Sequence, residues 1–379
     1  MKYFEKLFDD CEAKNISYIR RTRLFYSLIL VAYVLDKDLK EADQEDMNKV
    51  MSFMHKKYRS HNSKESFVKE IKRTWKLVAP EKDSRGRVDL TLTPYAVKHL
   101  SPSQDKSTVE LREDGRLEWE NYQRILQYYE KDLKIQFYIS LAVESLGRPA
   151  EILGVRIKDI EQHENYAKLW VKKGKEGSKF LQCIDSYHYL LKWLRKHPLR
   201  NNPEAPLFIN ENNKKKFCQL TPKTIAVKLQ TACKDLGIKK NLTGYSLKRI
   251  GVRFSRLRGD SDIQIQHRAG WTSTKQLKIY DCSSHDDALE IELTKRGLIK
   301  TAKKDLKKYL PETKVCVFCN TKNAYADDFC SKCQRSLDHK HIQKEMKEGD
   351  GMQQENLITN MQKMMVQMQE QINALQVRN

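Results

Sequence analysis

The chain has 379 residues, which is enough for two or three domains of ordinary size and excludes a mini-protein. Its 71 Lys and Arg residues outnumber 50 Asp and Glu residues, and the net charge of +21 indicates a polyanionic partner. Aromatic residues make up 9% of the chain, which excludes a generally disordered protein, and the nine cysteines favour a reducing compartment over a disulfide framework.

The first hundred residues are predicted to form a helical domain. Apolar residues recur at helical spacing in Tyr18–Leu35, Asp46–Tyr58 and Ser63–Leu77. The longest apolar run, at 24–35, has 12 residues, fewer than the roughly 20 that a membrane span needs, so we expect no membrane partner. The N-terminus contains no cleavable apolar segment, and we therefore expect a cytoplasmic protein.

A second domain is predicted over residues 117–298, after a polar linker at 101–116. Its sequence has helical periodicity over Asn121–Leu146, followed at 160–184 by a β-hairpin with the lysine-rich tip KKGKEGSK. The domain is thus mainly α with a small β-sheet. Further helices are predicted at Tyr187–Lys196, Thr221–Leu236, Ser246–Arg258 and Ser261–Ala269.

Two Cys-x-x-Cys pairs, Cys316/Cys319 and Cys330/Cys333, predict a small zinc ribbon over residues 312–337. Each pair supplies two thiolates from one tight turn, and four thiolates complete the tetrahedral shell of a structural zinc ion. Redox chemistry is the alternative, although no thioredoxin-like βαβ pattern accompanies the pairs.

The last segment, residues 350–379, is rich in Met and Gln. Its apolar residues recur mostly every three or four positions, which predicts an amphipathic helical tail. Such a stripe either pairs with a partner helix or belongs to a solvated, frayed helix, and the sequence does not decide between the two.

Four short motifs lie in order within the second domain: SLGRPAEILG at 145–154, the lysine-rich hairpin tip, GYSLKR at 244–249 and LKIY at 277–280. Taken singly, they also fit a surface helix cap, an exposed polar turn and a helix with a partly buried tyrosine. In the hairpin tip, Lys173 before Gly174 is the best candidate for a functional lysine, with Lys172, Lys175 and Lys179 as neighbours. The residues singled out are Arg148, Glu151, Lys173, Tyr245, Lys248, Trp271 and Tyr280.

In order and spacing, these motifs resemble the signature boxes of tyrosine recombinases of the phage-integrase and Xer type. Trp271, for example, lies nine residues before Tyr280, as the family pattern requires. The resemblance covers about residues 1–295. It implies a helical core-DNA-binding domain at 1–100 that clamps DNA, and a tyrosine recombinase catalytic domain at 117–298.

The resemblance also implies a role for each residue that was singled out. Arg148 and Lys248 would hold the scissile phosphate, and Glu151 would orient Arg148. Tyr280 would be the nucleophile and Lys173 the general acid, because a flexible ammonium can give a proton to the departing 5′ oxygen. Residues that would hydrogen-bond or pack against the phosphate are Tyr245 and Trp271.

The implied function is that of a site-specific recombinase, or integrase, that cuts and rejoins double-stranded DNA through a 3′-phosphotyrosyl intermediate. The reaction would need neither ATP nor a catalytic cofactor, so the structural Zn²⁺ would be the only bound metal. We expect a tetramer, as two dimers on paired DNA sites, associated with the nucleoid. A zinc ribbon after the catalytic domain is similar to the layout of some archaeal integrase-like proteins.

The sequence departs from the family pattern where it has Tyr245 and Lys248 in the His-x-x-Arg box. A guanidinium grips two phosphate oxygens with a planar fork, whereas an ammonium offers a point charge. This substitution supports one alternative, a catalytically attenuated DNA-binding protein with a recombinase fold. A second alternative is a type IB topoisomerase-like nicking enzyme, which shares the phosphotyrosine chemistry but relaxes DNA.

Overall fold

A computed structural model describes residues 2–102, 116–174, 177–211, 216–296, 298, 309–338, 361, 362 and 365. Its contacts divide the chain into two compact units, Met1–Leu111 and Arg112–Asn379. Nearly all of the predicted linker at 101–116 and of the predicted tail at 350–379 lies outside the described residues. None of the described helices has the length and apolar content that crossing a membrane requires.

Helices make up the N-terminal unit, as its apolar periodicity predicts. The apolar run at 24–35 lies within the second helix and buries Leu24, Leu28 and Val31 against Trp75. The third helix begins with a capping box, in which the backbone N–H of Asp46 donates to Asp43 Oδ1 at 2.9 Å. The helices are α1 (Lys2–Ala13), α2 (Tyr18–Leu35), α3 (Gln44–Lys57), α4 (His61–Val78) and α5 (Tyr95–Lys98).

The second unit consists of helices around a small antiparallel sheet of order β1-β2-β3. The fold class predicted from the sequence, mainly α with a small sheet, is therefore confirmed. In chain order, the elements up to the sheet are α6 (Trp119–Tyr128), α7 (Leu133–Ser145), α8 (Pro149–Leu153), β1 (Ile160–Gln162), β2 (Ala167–Gly174) and β3 (Gly177–Cys183). The following helices are α9 (Tyr187–Lys196), α10 (Pro222–Asp235), α11 (Gly244–Leu257), α12 (Asp262–Ala269), α13 (Leu277–Tyr280) and α14 (His285–Lys295).

The central helix of this unit is α7, which is buried along almost its whole length and packs against α11, α9 and β3. Its burial on all sides explains why its sequence is apolar rather than amphipathic. The helical pattern predicted over Asn121–Leu146 corresponds to two helices, α6 and α7, because the chain breaks between Tyr128 and Leu133. The break is held by contacts to α10: Lys228 forms an ion pair with Asp132 at 2.9 Å, and its backbone carbonyl accepts a hydrogen bond from the Tyr129 hydroxyl.

A two-stranded hairpin, β4 (Thr313–Val315) and β5 (Lys322–Ala324), follows near the C-terminus. It packs on α9 through polar contacts. Lys192 forms an ion pair with Asp327 at 2.5 Å, and Arg195 donates to the carbonyl of Ser331 at 2.5 Å. The hairpin therefore belongs to the same compact unit as the central helices.

Candidate active site

The turn between α7 and α8 places Arg148 and Glu151 against each other. Leu146 ends α7 in the left-handed conformation, with φ of 55°, and Arg148 then begins α8 as its N-cap residue. The backbone N–H and the Nη1 of Arg148 donate to the two carboxylate oxygens of Glu151, each at 2.9 Å. Both side chains are buried. The carboxylate therefore fixes the orientation of the guanidinium.

Glu151 is held ionised by its surroundings. Burial alone would raise the pKa of Glu151, but hydrogen bonds from the Arg148 backbone and from Lys179, together with the Lys179 charge, lower it to about 2. The Lys179 Nζ lies 2.9 Å from Glu151 Oε2. Glu151 is thus a carboxylate between two cations at any physiological pH.

Lys179, which contacts the Arg148–Glu151 pair, lies on β3, the second strand of the lysine-rich hairpin. Lys179, Leu181 and Cys183 alternate along β3, so all three point to the same face, and both Leu181 and Cys183 are fully buried there. The predicted general acid, Lys173, lies in β2 just before the tip, and its side chain is outside the described part of the structure. Its role stays a prediction.

The helix α11 carries the next two predicted residues on its first two turns. Thr243 caps α11, and Gly244 lies so close to α8 that a Cβ at this position would come within 2.7 Å of Pro149 Cγ. The start of α11 therefore contacts the turn that holds Arg148. Tyr245 follows with 46% of its surface exposed, whereas Lys248 is fully buried, at 0%.

Lys248, Trp271 and Tyr280 form one cluster. The Lys248 Nζ lies 5.0 Å from the centre of the Trp271 ring and 4.8 Å from the centre of the Tyr280 ring. The two rings stack on each other with their centres 5.3 Å apart and an interplanar angle of 21°. A buried ammonium over two aromatic faces is a favourable cation–π arrangement. The indole N–H of Trp271 is buried, with no hydrogen-bond partner among the described residues.

Lys179 connects this cluster to the Arg148–Glu151 pair. Besides contacting Glu151, its Nζ donates to the backbone carbonyl of Ala269 at 2.8 Å. Ala269 ends α12 two residues before Trp271. Trp271 also belongs to the same buried apolar cluster as Leu146, which lies two residues before Arg148. The two groups of predicted residues are therefore joined by direct contacts.

Two further arginines of α11 have roles that the sequence did not reveal. Arg253 is buried in a two-point ion pair with Asp287 of α14, at 2.9 and 3.0 Å. Arg256 Nε donates to Asp281, the residue after Tyr280, at 3.2 Å. Both arginines therefore hold the chain that follows α13, and Arg256 does so at the residue next to Tyr280.

The four cysteines predicted as metal ligands lie together, with all their Sγ atoms within 4.8 Å of one another. The Sγ atoms of Cys316 and Cys333 are 3.6 Å apart, as are those of Cys319 and Cys330. A tetrahedron of Zn–S bonds of about 2.3 Å separates its sulfurs by roughly 3.8 Å, so the cluster has the dimensions of a zinc site. The backbone N–H of Lys332 also points to Cys330 Sγ, at 3.4 Å.

Comparisons with known proteins agree with this geometry. The phage integrase family model matches residues 115–286. A search of curated proteins gave no match. Among solved structures of similar fold, XerH recombinase bound to palindromic difH substrate in a post-cleavage complex has 16% identity and a TM-score of 0.57, covering 77% of this chain and 85% of its own.

Two other solved structures have the same fold. A lambda integrase tetramer bound to a Holliday junction has 16% identity and a TM-score of 0.56, covering 74% of this chain and 76% of its own. The Tn1549 transposon integrase in complex with transposon right end DNA has 12% identity and a TM-score of 0.56, covering 78% of this chain and 99% of its own. The matched residues 115–286 include every predicted catalytic residue, and this part of the chain is a domain of the phage integrase, or tyrosine recombinase, family.

Proposed function

We propose that the chain is a site-specific DNA recombinase that cuts and rejoins DNA through a 3′-phosphotyrosyl intermediate. The observation that carries this proposal is the cluster of Lys248, Trp271 and Tyr280, which Lys179 joins to the Arg148–Glu151 pair. A phenol, three cations and an indole N–H with no hydrogen-bond partner among the described residues lie in one connected site. These are the groups that phosphoryl transfer to a tyrosine needs.

In the proposed reaction, Tyr280 Oη loses its proton to solvent and attacks the scissile phosphorus, forming a new P–O bond. The bond from phosphorus to the 5′ oxygen breaks, and the departing oxygen takes a proton to become a 5′-hydroxyl. The phosphate stays on Tyr280 as a 3′-phosphotyrosyl ester. A 5′-hydroxyl from a second duplex then reverses the step, so the number of phosphodiester bonds is conserved and no ATP is consumed.

Each proposed role follows from the charge that develops in this reaction. Negative charge builds on the non-bridging oxygens of the phosphate, and fixed cations and N–H donors stabilise it. Arg148, oriented by Glu151, and Lys248 would supply the cations, and the indole N–H of Trp271 is available as a donor. Tyr245 would donate from its hydroxyl. Lys173 would protonate the 5′ oxygen.

Covalent trapping tests this proposal. Duplexes that the protein binds would first be selected from a random pool, because the sequence does not reveal the DNA site. A set of these duplexes, each nicked at a different position, would then be incubated with the protein and analysed on a denaturing gel. A nick next to the cleavage site lets the short 5′-hydroxyl strand dissociate and traps the adduct. We expect one covalent adduct per cleaved strand, and its absence across the whole set would contradict the proposal.

The DNA-bound neighbours support double-stranded DNA as the partner. The lambda integrase neighbour is a tetramer on a Holliday junction, and we propose that this chain likewise assembles as two dimers on paired sites, in the cytoplasm with its DNA. Relaxation of supercoiled plasmid without strand exchange would instead indicate topoisomerase-like nicking.

DNA binding is expected to weaken steeply with salt. With a net charge of +21, contacts to six or more phosphates are reasonable, and each adds about −0.9 to the slope of log K against log salt. Affinity measured by fluorescence anisotropy should fall at least about 10³-fold between 50 and 200 mM salt. A nearly flat dependence over this range would contradict a DNA-clamping mode.

We also propose that Cys316, Cys319, Cys330 and Cys333 hold one structural Zn²⁺. When bound, the ion would cross-link two turns of a segment whose core otherwise consists of little more than these cysteines and Leu337. All four positions of a tetrahedral shell would be occupied by thiolates, so the ion would have no open site for catalysis.

Replacing Cys316 and Cys319 with serine is expected to remove the zinc and unfold residues 312–337 locally, because so small a segment cannot fold without its metal. Elemental analysis of the purified chain should give about one zinc for the wild type and none for the double variant. Cys218→Ser, at an exposed cysteine outside the cluster, should keep its zinc. Unchanged zinc content in the double variant would refute the site.

A further inference from the structure

The Lys179 side chain makes contacts that support one inference beyond the roles proposed above. Lys179 starts on β3, and only 13% of its side chain is exposed. Its ammonium ends between two acceptors from different parts of the chain, Glu151 Oε2 at 2.9 Å and the carbonyl oxygen of Ala269 at 2.8 Å. A single buried cation therefore joins the hairpin, α8 and the end of α12.

The backbone at this point is shaped around the lysine. Gly270 follows Ala269 in the left-handed conformation, with φ of 63°, and ends α12. A Cβ on Gly270 would come within 2.4 Å of Lys179 Cδ. The chain can therefore turn toward Trp271 in this way only because Gly270 accepts the positive φ and leaves room for the stem of Lys179.

We infer that Lys179 is a positioning residue for the proposed DNA cleavage. It fixes the positions of Trp271 and Tyr280 relative to Arg148. It acts on one side through Glu151, which orients Arg148, and on the other through Ala269, two residues before Trp271. This inference rests on the proposed function and assigns Lys179 a role distinct from proton donation. Both observed contacts of its ammonium are to protein acceptors that it holds in place.

A sulfur substrate separates positioning from proton transfer. In a duplex whose scissile 5′-bridging oxygen is replaced by sulfur, the thiolate leaves without protonation, so loss of a general acid is rescued. Loss of positioning is not rescued. We expect Lys179→Met to cleave both the oxygen and the sulfur substrate about 10- to 100-fold more slowly than the wild type, because small displacements of reacting groups cost this much. DNA affinity should be unchanged.

Matched variants complete the cleavage experiment. Lys179→Arg should recover part of the rate, since a guanidinium can also reach both acceptors. Lys168→Met removes a lysine of the neighbouring strand that pairs with Glu161 outside the site, and it should cleave like the wild type. If Lys179→Met cleaved the sulfur substrate at the wild-type rate, Lys179 would be the general acid and the inference would be overturned. Cleavage of the oxygen substrate by Lys179→Met at the wild-type rate would also overturn it.

Hydrogen exchange tests the same inference without any cleavage. In Lys179→Met, backbone amides of 270–280 should exchange faster than in the wild type, while those of α7 keep their protection, because the lost contact to Ala269 is the one that holds this segment and neither lost contact is to α7. Leu181→Ala, at a buried position on the same face of β3, should not reproduce this local pattern. Unchanged exchange at 270–280 would overturn the inference. Absence of any adduct in the wild type would instead overturn the proposed function.

Discussion

Replacing Tyr280 with phenylalanine is expected to abolish the covalent protein–DNA adduct and to leave DNA affinity nearly unchanged. The change removes one hydroxyl, and without it no phosphotyrosyl bond can form. The ring remains, so its stacking on Trp271 at 5.3 Å and its contact with the Lys248 ammonium at 4.8 Å are preserved. Adducts on nicked duplexes would be counted on denaturing gels, and affinity would be measured with the same duplex intact.

Tyr245→Phe is the matched control for this experiment. Tyr245 lies on the first turn of α11 and is 46% exposed. Removing its hydroxyl should therefore slow cleavage but still allow the adduct to form. The assignment of the nucleophile would be wrong if Tyr280→Phe still formed the adduct while Tyr245→Phe did not. Both variants keep their aromatic rings, so differences in folding do not complicate the comparison.

The helices and the order of the motifs could be predicted from the sequence because they depend on local pattern. Apolar periodicity gave α9 at Tyr187–Lys196 with the bounds that the structure has. Capping residues such as Thr243 and Ser261 lie directly before α11 and α12. The spacing between Trp271 and Tyr280 is likewise local, and in the structure the two rings stack on each other.

The role of Lys179 could not be predicted in this way, because it depends on strand register. The hairpin tip contains several lysines, and which of them points inward is set by the pairing of Val171 with Lys179 and by the irregularity between Val171 and Gly174. A slip of one residue would turn Lys179 to the opposite face. The alternation of Lys179 with Leu181 and Cys183 was the available signal.

The burial of Lys248 could not be predicted from the sequence pattern either. Lysine is almost never fully buried unless it is paired, and the groups around this ammonium come from residues 23 and 32 positions further along the chain. Only the packing of α11 against the segment from α12 to α13 brings them together. The same packing places the ammonium of Lys248 against the ring of Tyr280, the proposed nucleophile.

Replacing Lys248 with methionine is expected to lower cleavage about 10- to 100-fold, which corresponds to about 1.4–2.8 kcal/mol of transition-state stabilisation. The variant removes the cation that the proposed mechanism uses at the phosphate. It should leave the free energy of unfolding unchanged or raised, because an apolar side chain of similar length costs less to bury than an ammonium. Single-turnover cleavage and urea unfolding would measure the two effects separately.

Arg249→Met provides the control, because Arg249 is the next cation on α11 and points about 100° away from Lys248. Lys248→Arg should keep or raise the cleavage rate, since a planar guanidinium can also make cation–π contacts with aromatic rings and can grip two phosphate oxygens. If the wild type forms no adduct and Lys248→Arg does, the natural chain is an attenuated recombinase that acts by binding DNA. If Lys248→Met cleaves like the wild type and Arg249→Met does not, then the second phosphate-binding cation is Arg249, and the buried ammonium of Lys248 serves only to hold the two rings in place.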